Sequence, residues 1–100
     1  MDLAQYTTEI NLDKKQFEMK VDDHLVRIEF IKTNQGVMYL VHTEVPTALE
    51  GKGIGQKIVK DALEYLRENN LKLAPLCPFV AAYLKRHPEY KDLLAPGFNV

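Results

Sequence analysis

Three groups of residues in this chain carry chemistry by type and spacing. The stretch EGKGIGQKIV places Gly51, Gly53 and Gly55 within five positions, where helical apolar spacing begins. Glycine inside a helix costs about 1 kcal/mol against alanine, so three of them at a first turn need a reason. A helix start presents backbone N–H groups without intrahelical partners and the positive end of the helix dipole. Glycine leaves no Cβ between those donors and a bulky anion, and a phosphate or pyrophosphate is the usual guest. The plainer alternative is a loop that only joins strand to helix. His42 and Glu44 stand at i,i+2 in a strand-like run and therefore share one face of it. Cys77 precedes Pro78 at a second helix start, where a thiol is a candidate nucleophile. Its alternative reading is a small buried apolar side chain.

The elements that must position these groups follow from periodicity. QFEMKV alternates, with Phe17, Met19 and Val21 on one face and Gln16, Glu18 and Lys20 on the other. Asp22-Asp23 reads as a tight turn, and HLVRIEFI alternates again. After the turn TNQG, the run GVMYLVHTEV is nearly apolar throughout, which predicts a central strand covered on both faces. Beyond Pro46 the period becomes helical: Ile54, Ile58, Val59, Ala62, Leu63 and Leu66 form one face, and ENN ends it. LKLAPLC is a short strand, expected parallel to its predecessor because a helix separates them. Pro78 suits the first turn of a second helix, in which Phe79/Tyr83 and Val80/Leu84 are i,i+4 pairs and which Pro88 should end. The order is β-β-β-α-β-α in an α+β fold, with about fourteen residues before the first strand.

Composition narrows the function classes. One hundred residues suit one domain, taken as 1–100 with its core at about 15–94. The net charge of −1 gives no whole-molecule reason to expect nucleic acid or an anionic membrane as partner. No run is apolar enough to span a bilayer, and MDLAQYTTEI lacks signal-peptide character, so a cytoplasmic protein is expected. One cysteine excludes an internal disulfide, and three scattered histidines form no zinc pattern, so no metal is expected. The glycine run is not the dinucleotide fingerprint, whose spacing and flanking strands differ. Nor is it the nucleoside-triphosphate loop, since GIGQK lacks the GK[ST] ending. A pyrophosphate of neither kind points to coenzyme A.

With VHTEVPTALEGKGIGQKIV and LCPFVAAYLKRHPEY placed on these elements, the chain resembles the GCN5-related N-acetyltransferases, above all their smallest bacterial and plant members. The resemblance covers residues 15 to 94. It implies a minimal GNAT-like fold, an antiparallel meander followed by helix, parallel strand and C-terminal helix. It maps the family's acetyl-CoA loop, Q/R-x-x-G-x-G/A, onto Glu50 to Gly55. Gly53 and Gly55 match, while Glu50 replaces an amide or cation, a departure that Lys52 and Lys57 would offset. Cofactor contacts are then expected from Val45, Gly51, Lys52, Gly53, Ile54, Gly55 and Gln56. The resemblance also implies an opening between the last meander strand and the parallel strand, where pantetheine pairs with backbone near Glu44 and Val45. Pro46, which cannot donate a ladder hydrogen bond, suits that strand end.

The implied reaction transfers an acetyl group from acetyl-CoA to a primary amine, on a small molecule or a protein. It needs a proton acceptor and a stabilised oxyanion. His42 is the candidate base, or alternatively a hydrogen-bonded core histidine. Glu44 is a second candidate, or a solvated strand-end carboxylate. Cys77 would either line the acetyl pocket or carry the acetyl group. Tyr83 stands where larger relatives place a tyrosine that protonates the departing thiolate, or packs with Phe79. Lys85, Arg86 and His87 would touch cofactor phosphates or form a solvated helix end. The competing function is a CoA- or acyl-CoA-binding module with little transferase activity.

Overall fold

The computed structural model describes residues 2–100. Five strands, β1 (Thr8–Asn11), β2 (Gln16–Val21), β3 (His24–Lys32), β4 (Val37–Glu44) and β5 (Lys72–Pro75), form one sheet in the order β1-β2-β3-β4-β5. The first four run antiparallel, and β5 lies parallel to β4. The meander thus has four strands rather than the three expected, and β1 begins at Thr8, well before residue 15. β1 is short, and its Ile10 faces Phe17 across the ladder, so it finishes the edge of the core.

The alternation in β2 and β3 does what its spacing demands. Phe17, Met19, Val21, Val26, Ile28 and Phe30 all point to the buried face. Against that face pack α1 (Ile54–Glu68), through Ile58, Val59, Ala62, Leu63 and Leu66, and α2 (Pro78–Arg86), through Val80, Tyr83 and Leu84. Each large apolar side chain so buried stabilises the fold by about 1.5–3 kcal/mol. This face, more than helix propensity, holds α1 in place. A 3₁₀ segment, Pro88–Leu93, is tied to α1 by Arg67 donating to Asp92 (2.7 Å) and by the Tyr90 hydroxyl donating to Glu64. Ala95 N–H then donates to the Leu73 carbonyl, covering the outer edge of β5.

Among the described residues no helix covers the opposite sheet face, so β4 is not covered on both sides as its apolar sequence suggested. Val37, Tyr39 and Val41 are only partly buried, with Phe98 of the C-terminal tail set edge-on to Tyr39 at 6.0 Å. Two polar rows run across this open face: Gln16–Glu29–His42, and Glu18–Arg27–Glu44.

One irregularity positions the site. Phe30 pairs with Leu40, but Glu29 pairs with His42, so Val41 is an extra residue in β4. This β-bulge reverses the facing of everything after it. Met38 and Leu40 point to the helices. Beyond the bulge Thr43, opposite Ile28, takes that side, while His42 and Glu44 turn to the open face. The β4–β5 pairing stops at Leu40↔Pro75, closed by Cys77 N–H donating to the Leu40 carbonyl (2.9 Å). From there to Glu44, β4 pairs with β3 alone, and its other edge is free.

Candidate active site

The free edge of β4 opens into a cleft of about 660 Å³. One wall is the strand end Thr43, Glu44 and Val45. The floor is the loop residues Glu50, Gly51 and Gly53 to Gln56, and Phe79 closes the far side. The glycines are explained one by one. Gly51 and Gly53 have φ of 77° and 78°, a left-handed conformation costing an ordinary residue about 1–2 kcal/mol. Gly55 lies inside α1, where a Cβ would stand 2.7 Å from Phe79 Cζ. Two glycines therefore shape the turn and the third admits the Phe79 ring.

That turn leaves donors without partners. Gly53 caps α1 without any side-chain bond, and the first helical hydrogen bond runs from Lys57 N–H to the Gly53 carbonyl (3.1 Å). Among the described residues, the N–H groups of residues 51 to 56 have no protein acceptor. Six consecutive unpartnered donors surround two left-handed glycines at the positive end of a fifteen-residue helix, the kind of arrangement that anions bind. The space where Cβ atoms would sit is open at Gly51, and at Gly53 only Leu3 Cδ1 lies near, at 3.5 Å. Charges divide less simply than the sequence suggested. Lys57 is held by Asp61 at 2.8 Å, and Asp61 also accepts from the Thr8 hydroxyl (2.7 Å). Lys52 is exposed with no ion pair among the described residues and does not line the cleft, whereas Glu50 does.

The three expected catalytic residues are not brought together. His42 and Glu44 do share a face, with His42 Nε2 and Glu44 Oε2 2.8 Å apart and both side chains about half exposed. His42 is thus neither a core histidine nor a cleft-side group, because the bulge directs it to the open face. Cys77 lies on the helix side, buried, with its Sγ 3.3 Å from Thr43 Oγ1. Thr43 lines the cleft, and Cys77 stands behind it. Sequence reading missed Thr43 because it missed the bulge. No local signal marked the bulge, because the consecutive apolar residues Val37, Met38, Tyr39, Leu40 and Val41 occupy both phases of the strand. Sequence reading also missed Phe79, which is exposed over Gly55 rather than paired with Tyr83 on the core face. Tyr83 instead stacks on His87, with ring centroids 4.0 Å apart. Burial, with the nearby carboxylates Glu89, Glu64 and Asp61, raises its phenol above the ordinary range. Gln56, Phe79, Tyr83, Arg86 and His87 continue the cleft as a groove between α1 and α2.

Residues 16–93 match the family model for GCN5-related N-acetyltransferases. The chain belongs to that family. The NATD1 protein of Mus musculus is 30% identical over 89 residues, covering 83% of this chain and 79% of that protein. The Homo sapiens NATD1 protein is likewise 30% identical, with 77% of it covered. The solution structure of a GCN5-like protein from Staphylococcus aureus superposes with a TM-score of 0.69 at 30% identity, covering 91% of this chain and 90% of that one. The five-stranded mixed sheet with helices on one face is accordingly an α+β GNAT-like fold. Among the described residues, no helix is long and apolar enough to cross a membrane.

Proposed function

We propose that this GNAT-family chain binds acetyl-CoA in the β4–α1 cleft and transfers the acetyl group to a primary amine. One observation carries the reading: a run of six unpartnered backbone donors, five of them on residues that line the cleft, stands beside a free strand edge lining the same cleft. The donors suit a pyrophosphate, and the edge from Val41 to Val45 suits the amide-bearing pantetheine arm, added like a strand. Val45, Gly51, Lys52, Gly53, Ile54, Gly55 and Gln56 would hold the cofactor, whose thioester supplies an activated acetyl group.

The protein's own groups then have separate tasks. The free edge of β4 joins both sheet faces, so an amine approaching from the open face meets His42 and Glu44. A carboxylate 2.8 Å from His42 Nε2 keeps the proton of a neutral imidazole on that nitrogen. Nδ1 is then the basic atom and takes the amine proton, while Glu44 stabilises the imidazolium that forms. Transfer is direct, since thioester and amine held together need no acyl-enzyme. The burial of Cys77 behind Thr43 supports this route. The single domain, 1–100, would suffice for binding and transfer.

Isothermal titration with CoA, followed by turnover over a panel of amines, tests the reading. Gly53→Ala should weaken CoA binding about tenfold while melting only a few degrees lower. Unchanged affinity in the folded variant would remove the cradle. Glu50 supports a second reading, a CoA-binding module: an acidic residue lines the cleft beside the donors that would hold an anion. Binding without turnover on any amine would establish that module instead.

A further inference from the structure

We propose that Thr43 is the catalytic hydrogen-bond donor of the cleft and that Cys77 acts through it as a positioning residue. This rests on the cleft being the CoA thioester site. The Val41 bulge turns Thr43 toward the helix side at the point where β4 loses its β5 partner. A pantetheine arm running along that edge from the glycine loop ends here, because pairing closes again at Leu40. The polar side chain on the cleft wall at this closed end is Thr43; Cys77 lies one layer behind, its sulfur 3.3 Å from Thr43 Oγ1. A thiol donating to Oγ1 satisfies the threonine's acceptor and leaves its O–H free to point into the cleft.

In the transfer the amine nitrogen bonds to the acetyl carbon, and the carbon–sulfur bond of the thioester breaks. The departing sulfur keeps the electron pair, and the amine proton leaves to His42. Negative charge develops on that sulfur, and the Thr43 hydroxyl donates a hydrogen bond to it. His42 lies across the strand on the open face. Glu44 lines the cleft beside Thr43, but its carboxylate is engaged by His42 at 2.8 Å and, when ionised, only accepts hydrogen bonds. Thr47, Glu50 and Gln56 lie at the loop end. Thr43 is therefore the side chain that serves the departing group.

The test separates a positioning cysteine from a nucleophilic one. Thr43→Val, nearly isosteric, should lower kcat at least about tenfold with KM and CoA affinity little changed. Thr43→Ser should restore most of the rate, and it remains informative if Thr43→Val fails to fold. Cys77→Ser, whose hydroxyl still donates to Oγ1, should stay within about threefold of wild type, whereas Cys77→Ala should lose more. A second readout needs no turnover. In the Cys77→Ser background, the thiol of bound CoA, followed by thiolate absorbance, should titrate about one pH unit higher once Thr43 is valine. A Cys77→Ser variant as inactive as Cys77→Ala, beside a fully active Thr43→Val, would overturn the proposal in favour of a nucleophilic cysteine. So would an unshifted CoA thiol. Failure of the wild type to bind CoA would overturn the cofactor reading itself and this inference with it.

Discussion

Gly55 illustrates how a single missing methyl shapes this site. Its absent Cβ is replaced by the tip of the Phe79 ring, and Phe79 is exposed enough to swing away. Gly55→Ala also gains about 1 kcal/mol of helix propensity, which offsets most of the crowding. We therefore expect melting close to wild type but CoA affinity reduced about tenfold, because the far wall of the cleft has moved. Calorimetry beside titration checks this; equal affinity would show that the ring does not bound the ligand. His42 and Glu44 differ in a related way. His42→Gln should lower kcat by about 10² or more if Nδ1 is the base. Glu44→Gln keeps the geometry but removes the charge that stabilises the imidazolium, so its loss should be smaller. Equal losses, or none in either, would remove the pair from the reaction.

Among the elements, the 3₁₀ segment Pro88–Leu93 depends on two ties to α1. Tyr90 is buried, and burial together with its bond to Glu64 raises the phenol well above its usual range. A raised phenol contributes stability that is complete below the unfolded pKa of about 10 and is lost as pH rises through the folded value. Tyr90→Phe should thus cost about 1.5–3 kcal/mol near neutrality. The gap between variant and wild type should narrow above pH 10, and denaturant melts across that range would show it. A gap that is constant with pH would mean the bond to Glu64 is not maintained. The elements were also where the sequence was most readable. Clean alternation in β2 and β3, the face of α1, the parallel placement of β5 and the stop at Pro88 all follow from period and punctuation. β1 did not, because four residues with one core apolar side chain, Ile10, give no measurable period. The bulge did not either, since in GVMYLVHTEV apolar residues occupy both phases and hide the slip. From it follow the reversed placement of His42 and the overlooked role of Thr43.

For the whole molecule, the glycine loop and family motifs pointed to this candidate site, while its facing depended on strand pairing that no local pattern records. The strand order has a further consequence. Each strand of the meander neighbours the one before it, so β1 to β4 close only short loops, whereas β5 must wait for all of α1. Pairings between near neighbours form fast, and those needing a long closure form late. The β4–β5 ladder, four pairs long and split beyond Leu40, is then expected to form late and to open before the meander. The cleft sits on this seam. A ligand that bridges β4 and α1 holds the seam shut, and binding free energy appears there as resistance to opening. In amide hydrogen exchange, saturating CoA should slow β5 and the start of α2 strongly and the β1–β3 amides hardly at all. Uniform slowing would instead mean that the chain opens as one unit. On that expectation, the parting of two strands that opens the cleft is also the seam where the fold yields first, and an occupant of the cleft would mend it there.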